Sequence, residues 1–153
     1  MATLTNMQKY ENYKAQMERL NRAIKEHFYL EAMFMEFAIM EDRCESVLTH
    51  AGVFRPDRHF TITKKLRRIE ALAQSNATAK RYFSHELIDG LIAWKDKRNA
   101  YIHALMKKTF TGDELEDIVQ EGLILTKTLC SKSTSYQDAF LSYAKAVQVL
   151  TQA

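Results

Sequence analysis

Apolar residues recur at helical spacing through the first third of the chain, which has no Gly or Pro between Thr5 and Ala51. Thr5 and Gln8 have the spacing of a capping box, and the apolar positions that follow step by three and four residues: Tyr10, Tyr13, Met17, Leu20 and Ile24. One helix over these 47 residues would be about 70 Å long, whereas a domain of this size has a radius of gyration of about 15 Å. We therefore expect either a break between Ile24 and Leu30 or an N-terminal half that packs on another subunit.

The second block, Phe28 to Ala51, is richer in apolar residues, and Gly52 is its natural end. Its narrow polar face consists of Glu31, Glu36, Glu41, Asp42 and Glu45. Carboxylates spaced in this way form a solvated acidic face or cap a basic neighbour far more often than they hold a metal.

Short polar or turn-forming segments divide the remainder of the chain, starting with a loop from Val53 to Phe60. The next predicted helix is capped by Thr61 or Thr63 and ends near Asn76, and the one after it begins between Ala77 and Ser84 and ends at about Lys108. A further helix opens with Thr111 to Glu114. After a polar break at Ser131 to Ser135, a last helix runs from Tyr136 to Leu150. Sequential helices on short connections pack as antiparallel neighbours. The predicted fold class is therefore all-α, an up-and-down bundle of about five helices with a long N-terminal helical segment.

Composition favours one helical domain over residues 1–153. Four Gly and one Pro are few for the turns of a sheet, and 46% hydrophobic with 27% charged residues is ordinary for a globular domain. Cys44 and Cys130 have neither disulfide nor zinc spacing, and no segment has the pattern of a signal peptide or a membrane span. We expect reduced, buried thiols in a cytoplasmic protein that binds no membrane.

A charged residue interrupts the apolar stripe of the segment that ends at Lys108. Leu87, Leu91 and Trp94 follow helical spacing, and Arg98 then stands where a leucine is expected. Because a guanidinium at such a position is costly without a partner, Arg98 either has an intramolecular partner or binds an anion. Asn99 and His103 are four residues apart and share a face of this helix. Gly90, in the same helix, indicates either close approach by another backbone or a tolerated glycine.

Arg98-Asn99-Ala100-Tyr101-Ile102-His103 resembles the signature of the HEPN superfamily, in which an arginine, a polar residue and, after a few positions, a histidine stand on one helix. The resemblance implies a homodimeric endoribonuclease that needs no metal and no cofactor and leaves 2′,3′-cyclic phosphate ends. It also implies two motifs in one cleft at the dimer interface, and a toxin or anti-phage defence role with a possible antitoxin protein as partner. Ala104 stands where many members have glycine, and Leu105 where some toxin members carry a modified tyrosine.

The residue types of the motif suit RNA cleavage. A histidine with a pKa of about 6.5 can take the proton of a ribose 2′-OH or protonate the leaving 5′-oxygen, and an arginine can stabilise charge on the phosphoryl oxygens. DNA lacks the 2′-OH. The candidate catalytic residues are therefore Arg98, His103 and Asn99, with no metal ligand among them.

Positive charge is concentrated around the motif, since residues 55–108 contain thirteen Lys and Arg against five Asp and Glu. Such a segment is typical of a phosphate-backbone binder, with a basic solvated face as the alternative. Arg55 and Arg58 belong to it. The candidate RNA-binding residues are Lys95, Lys97, Tyr101, Lys64, Lys65, Arg67 and Arg68. The alternative function is a catalytically silent helical module that binds a partner protein or nucleic acid through the same surface.

Overall fold

The computed structural model describes residues 4–54 and 60–152, and these form a bundle of six α-helices. The helices are α1 (Asn6–Lys25), α2 (Tyr29–His50), α3 (Ile62–Ser75), α4 (Ala77–Tyr82), α5 (His85–Ala104) and α6 (Gly112–Gln152). No strand is present in the part of the chain described, so the all-α prediction is confirmed. Arg55 and Arg58, and most of the predicted loop around Pro56, lie outside these residues.

The long N-terminal segment breaks between α1 and α2. His27 adopts a positive φ of 59°, and the Phe28 amide donates to the Ala23 carbonyl oxygen at 2.8 Å, which turns the chain back at the end of α1. The break lies within the predicted interval, so the first of the two alternatives is confirmed. The capping box at Thr5 and Gln8 is also present, with both of its hydrogen bonds formed.

Several of the predicted helix boundaries are wrong. A separate short helix, α4, precedes α5, which begins at His85 behind the cap residue Ser84 and ends at Ala104, short of Lys108. The expected polar break at Ser131 to Ser135 does not occur, because α6 runs unbroken for 41 residues. Ser133 is buried there, and its hydroxyl donates to the Cys130 carbonyl oxygen of its own helix at 3.0 Å. A hydroxyl satisfied in this way is compatible with a helix interior.

Helix α6 is the scaffold on which the other helices pack. It runs parallel to α2, because Glu36 lies against Gly122 and the Gln137 side-chain amide donates to Ser46 Oγ at 2.6 Å. It runs antiparallel to α5, because Trp94 Nε1 donates to the Ile118 carbonyl oxygen at 2.8 Å while Gly90 lies beside Leu125. The C-terminal end of α5 therefore lies near the start of α6.

The core fills the spaces between α6 and its neighbours. Its largest completely buried apolar side chains are Trp94, Tyr136, Leu20, Met33, Met40, Leu48, Leu66, Ile69, Ile88, Leu91 and Leu129. Cys44 and Cys130 are buried free thiols, as predicted. No helix in the ranges described combines the length and apolarity needed to cross a membrane.

Candidate functional site

Arg98 packs its guanidinium against two aromatic rings of α2. Its Cζ atom lies 4.3 Å from the ring centroid of Phe37 and 4.9 Å from that of Phe34, and its Nη1 donates to Asn99 Oδ1 at 2.9 Å. Its Nε is buried without a hydrogen-bond partner, and burial lowers the pKa of the guanidinium. Among the residues described, no carboxylate pairs with it. Cation–π contacts hold this side chain without neutralising its charge.

His103 lies in the last turn of α5, one turn after Asn99, with its side chain exposed. Of the three predicted catalytic residues, Asn99 accepts a hydrogen bond from Arg98 and shares a helix face with His103. The structure brings Arg98 and Asn99 into contact and leaves His103 exposed one turn after Asn99. Water and substrate have access to the imidazole.

The other candidate residues on α5 are engaged within the chain. Lys95 pairs with Asp96 at 2.6 Å, and Lys97 pairs with Glu121 of α6. Tyr101 is buried and stacks on Phe110, with ring centroids 4.3 Å apart. Its ring therefore supports the segment that follows α5 and does not face the surface that carries His103.

Helix α3 does not present the continuous basic face expected from its sequence. Lys65 is only 4% exposed, and its Nζ bridges Glu41 at 2.9 Å and Glu45 at 2.5 Å, so its placement on a solvated basic face was wrong. Glu41 and Glu45 thus cap a basic neighbour, one of the alternatives for this acidic cluster.

The other basic side chains of α3 differ in their contacts. Arg67 pairs with Glu70 and Asp89, whereas Arg68 donates to the Val53 carbonyl oxygen and stacks on Phe60. Lys64 is exposed.

No family model, no curated protein and no solved structure matches the chain.

A buried acid close to the site was missed from sequence. Glu36, expected on the polar face of α2, is completely buried, and neither carboxylate oxygen has a hydrogen-bond partner. It lies against Gly122, which the Trp94 ring also contacts, and burial raises the pKa of its carboxyl to about 9. A signal was available, because Glu36 stands three residues after Met33 and four before Met40 on the apolar stripe of α2.

A second polar cluster joins α3 to the first turns of α5. Glu70, His85 and Asp89 could hold a metal ion, since one ligand atom from each lies within 4.8 Å of the others. The carboxylates are already engaged, however, because each gives one oxygen to Arg67 and the other to His85. The hydrogen bond to Glu70 raises the pKa of His85, and the bond to Arg67 lowers that of Glu70. These features describe an internal ion-pair network.

Proposed function

We propose that the protein is a metal-independent endoribonuclease of the HEPN type that acts as a homodimer, in the role of a toxin or defence effector. The observation that carries the proposal is the state of Arg98. Four other cations are each paired with a carboxylate: Lys95, Lys97, Lys65 and Arg67. Arg98, by contrast, is held by aromatic rings and retains its charge for a phosphate, and its neighbour Asn99 lies one helix turn from His103.

Each group has a part in the reaction. His103 takes the proton of a ribose 2′-OH, the 2′-oxygen attacks the adjacent phosphorus, and the bond from phosphorus to the 5′-oxygen of the next nucleotide breaks. The products carry a 2′,3′-cyclic phosphate and a 5′-hydroxyl, and the leaving oxygen receives its proton from the His103 of the second copy. Arg98 stabilises the charge on the phosphoryl oxygens, and Asn99 fixes the orientation of its guanidinium.

The surroundings of the motif favour a dimer contact at this end of the bundle. Phe34, which stacks on Arg98, is about half exposed, and Met106, which follows α5, is 94% exposed. Phe28, Leu30 and Leu105 add further exposed apolar surface where the start of α2 and the end of α5 meet the start of α6. An apolar patch beside the motif is suited to a two-fold contact that unites two copies of the site.

A second candidate is a catalytically silent helical module that binds a partner protein or nucleic acid, for example an antitoxin. The packing of Arg98 against two rings of its own chain favours it, because this cation already has partners inside the bundle. The two candidates differ in whether His103 transfers a proton.

The test is cleavage of single-stranded RNA by the purified protein in excess EDTA. His103→Ala removes the proton-transfer group, so cleavage is expected to fall by about 10²–10⁴-fold. Arg98→Ala is expected to cost about 10²–10³-fold, by analogy with the loss of one oxyanion donor. A deoxyribose at the scissile nucleotide abolishes the reaction, because the nucleophilic 2′-OH is missing.

His50→Ala is the matched control, since His50 is another exposed histidine in the last turn of a helix, and it is expected to retain full activity. If the parent cleaves no RNA, or if His103→Ala cleaves as fast as His50→Ala, the silent module is the better description.

A further inference from the structure

The buried seam of α6 continues as a regular heptad pattern past the last helix that covers it. Its positions alternate steps of three and four residues: Val119, Gly122, Thr126, Leu129, Ser133, Tyr136, Phe140, Tyr143, Val147 and Leu150. The first six are buried, whereas Phe140 is 37%, Tyr143 70%, Val147 39% and Leu150 77% exposed. A strict repeat of this kind is the pattern of a two-helix seam, so the distal part is built for one more helix.

The neighbours of α6 end where the exposure begins. Ser46, four residues before the end of α2, bonds to Gln137, and Phe83, at the end of α4, packs edge-on against Tyr136. Tyr13, which is seven residues after the first residue of α1, lies beside Cys130. Residues 138–152 therefore extend beyond the bundle as a helix that these neighbours leave uncovered, and we call this segment the tail.

The chemistry of the tail identifies the kind of helix that fits it. Only Asp138 and Lys145 are charged, and both lie on the helix face opposite the seam. The positions that flank the seam are occupied by Ala139, Ala144 and Ala146. In coiled coils that pair with a different chain, these positions usually carry charged residues that determine the partner. Uncharged, small flanks allow a close approach and do not oppose a second copy of the same sequence. A phosphate backbone has nothing to bind here.

We propose that the tail pairs with the tail of a second copy as an antiparallel two-stranded coiled coil centred near Lys145. In this register Phe140 lies opposite Leu150 of the partner, and Tyr143 lies opposite Val147 of the partner. The end of each tail then reaches the partner's bundle beside the start of α1, where the exposed apolar residues Leu4, Met7 and Tyr10 enlarge the contact. A parallel arrangement lacks this added surface, which therefore favours the antiparallel one.

The inference goes beyond the proposed function and does not depend on it. The motif lies at the other end of the bundle, because α5 ends near the start of α6. Tail pairing therefore leaves Arg98 and His103 free to meet a different copy. Two separate two-fold contacts on one chain generate a closed tetramer when their axes allow it.

The test compares the mass of the full chain in solution, by sedimentation equilibrium, between paired variants. The double variant Tyr143→Glu/Leu150→Glu places charge in the seam and is expected to halve the mass of the assembly. The control Ser142→Glu/Gln148→Glu adds the same charge to the same segment outside the seam and is expected to leave the mass unchanged. Circular dichroism reports whether each variant keeps its helices. Equal masses for parent and seam variant overturn the proposal, as does a monomeric parent at micromolar concentration.

Cysteine cross-linking tests the orientation. A mixture of Phe140→Cys and Leu150→Cys chains is expected to form a disulfide between unlike chains, whereas Leu150→Cys alone forms none. Rapid cross-linking of Leu150→Cys to itself would show a parallel pair and overturn the antiparallel register. Neither measurement involves RNA, so an absence of ribonuclease activity leaves this proposal untouched.

Discussion

Glu36 is the residue at which burial acts most directly on charge. Its carboxyl has no partner among the residues described, and its pKa rises from 4.5 in a water-exposed reference to about 9. The folded state therefore holds a proton that the unfolded chain releases above pH 4.5. The sign follows from this, because the contribution of Glu36 to stability is greatest below pH 4.5 and falls as the pH rises towards 9.

Glu36→Gln is expected to reduce this dependence, because the amide keeps the shape of the side chain and carries no charge. Between pH 5 and pH 7 the unfolding free energy of the parent should fall by on the order of 2–3 kcal/mol more than that of the variant, at 1.36 kcal/mol per pH unit. Urea denaturation at the two pH values measures it, and Glu11→Gln, on the exposed side of α1, is the control. Parallel curves for Glu36→Gln and the parent would mean that the carboxyl ionises normally.

Gly122 is the glycine that the packing of α6 requires. A Cβ at this position would lie 2.7 Å from two atoms of the Trp94 ring and would overlap Glu36 Oε2, whereas a Cβ at Gly90 would make an ordinary contact of 3.5 Å with Leu125. The close approach that Gly90 suggested from sequence thus occurs at Gly122, where it involves side chains.

Substitution by alanine should separate the two glycines. Gly122→Ala is expected to destabilise the fold by about 1–3 kcal/mol through overpacking, whereas Gly90→Ala should stabilise it by up to about 1 kcal/mol because alanine favours a helix interior. Thermal and urea unfolding of both variants give the comparison. Equal effects would show that the Trp94 ring moves aside without cost.

At the scale of elements, Lys65 forms ion pairs that join α3 to α2, whereas its neighbour Lys64 is exposed. Burial lowers the pKa of Lys65, but hydrogen bonds to Glu45 and Glu41 outweigh it and leave the pKa raised. Lys65→Ala would leave both carboxylates unpaired, so we expect a loss of about 1–3 kcal/mol in unfolding free energy, reduced from the fully buried case because both acids are partly exposed.

Lys64→Ala should leave stability unchanged and act on RNA binding instead. If Lys64 contacts a phosphate, its removal lowers the slope of log affinity against log salt by about one. Fluorescence anisotropy at 50–200 mM salt measures the slope, and urea denaturation measures stability for both lysine variants. The opposite assignment, a binding defect at Lys65 without loss of stability, would contradict the ion-pair bridge.

The long helices could be predicted because each has a hydrophobic period, whereas the six-residue α4 is too short to show one and was missed. The site could be predicted only in part. Arg98 was recognisable because it interrupts an apolar stripe, but its aromatic partners come from α2 and leave no local signal in α5. Ser131 to Ser135 look like a loop in sequence, since the burial of Ser133 depends on helices elsewhere in the chain. The burial of Lys65 likewise required Glu41 and Glu45 to lie across from it.

At the scale of the whole molecule, the two ends of α6 have different surroundings. Near its start lie exposed aromatic and apolar residues and the end of α5 that carries Arg98 and His103, where the proposed RNA site lies. The tail at its other end is almost uncharged and continues a helical seam. A molecule built in this way separates the surface proposed for chemistry from the surface proposed for assembly by the length of one helix, which for 41 residues is about 60 Å.

The parallel pairing of α2 with α6 also has a consequence for synthesis of the chain. Ser46 and Gln137 are 91 positions apart, so the apolar face of α2 meets its main partner only after most of the later residues have been made. At 5–20 residues per second this interval lasts roughly 5–20 s. Throughout it, the face of α2 that Met33, Glu36 and Met40 share lacks the helix against which Glu36 packs. The nascent chain is therefore most dependent on chaperones during the interval in which α3, α4 and α5 emerge.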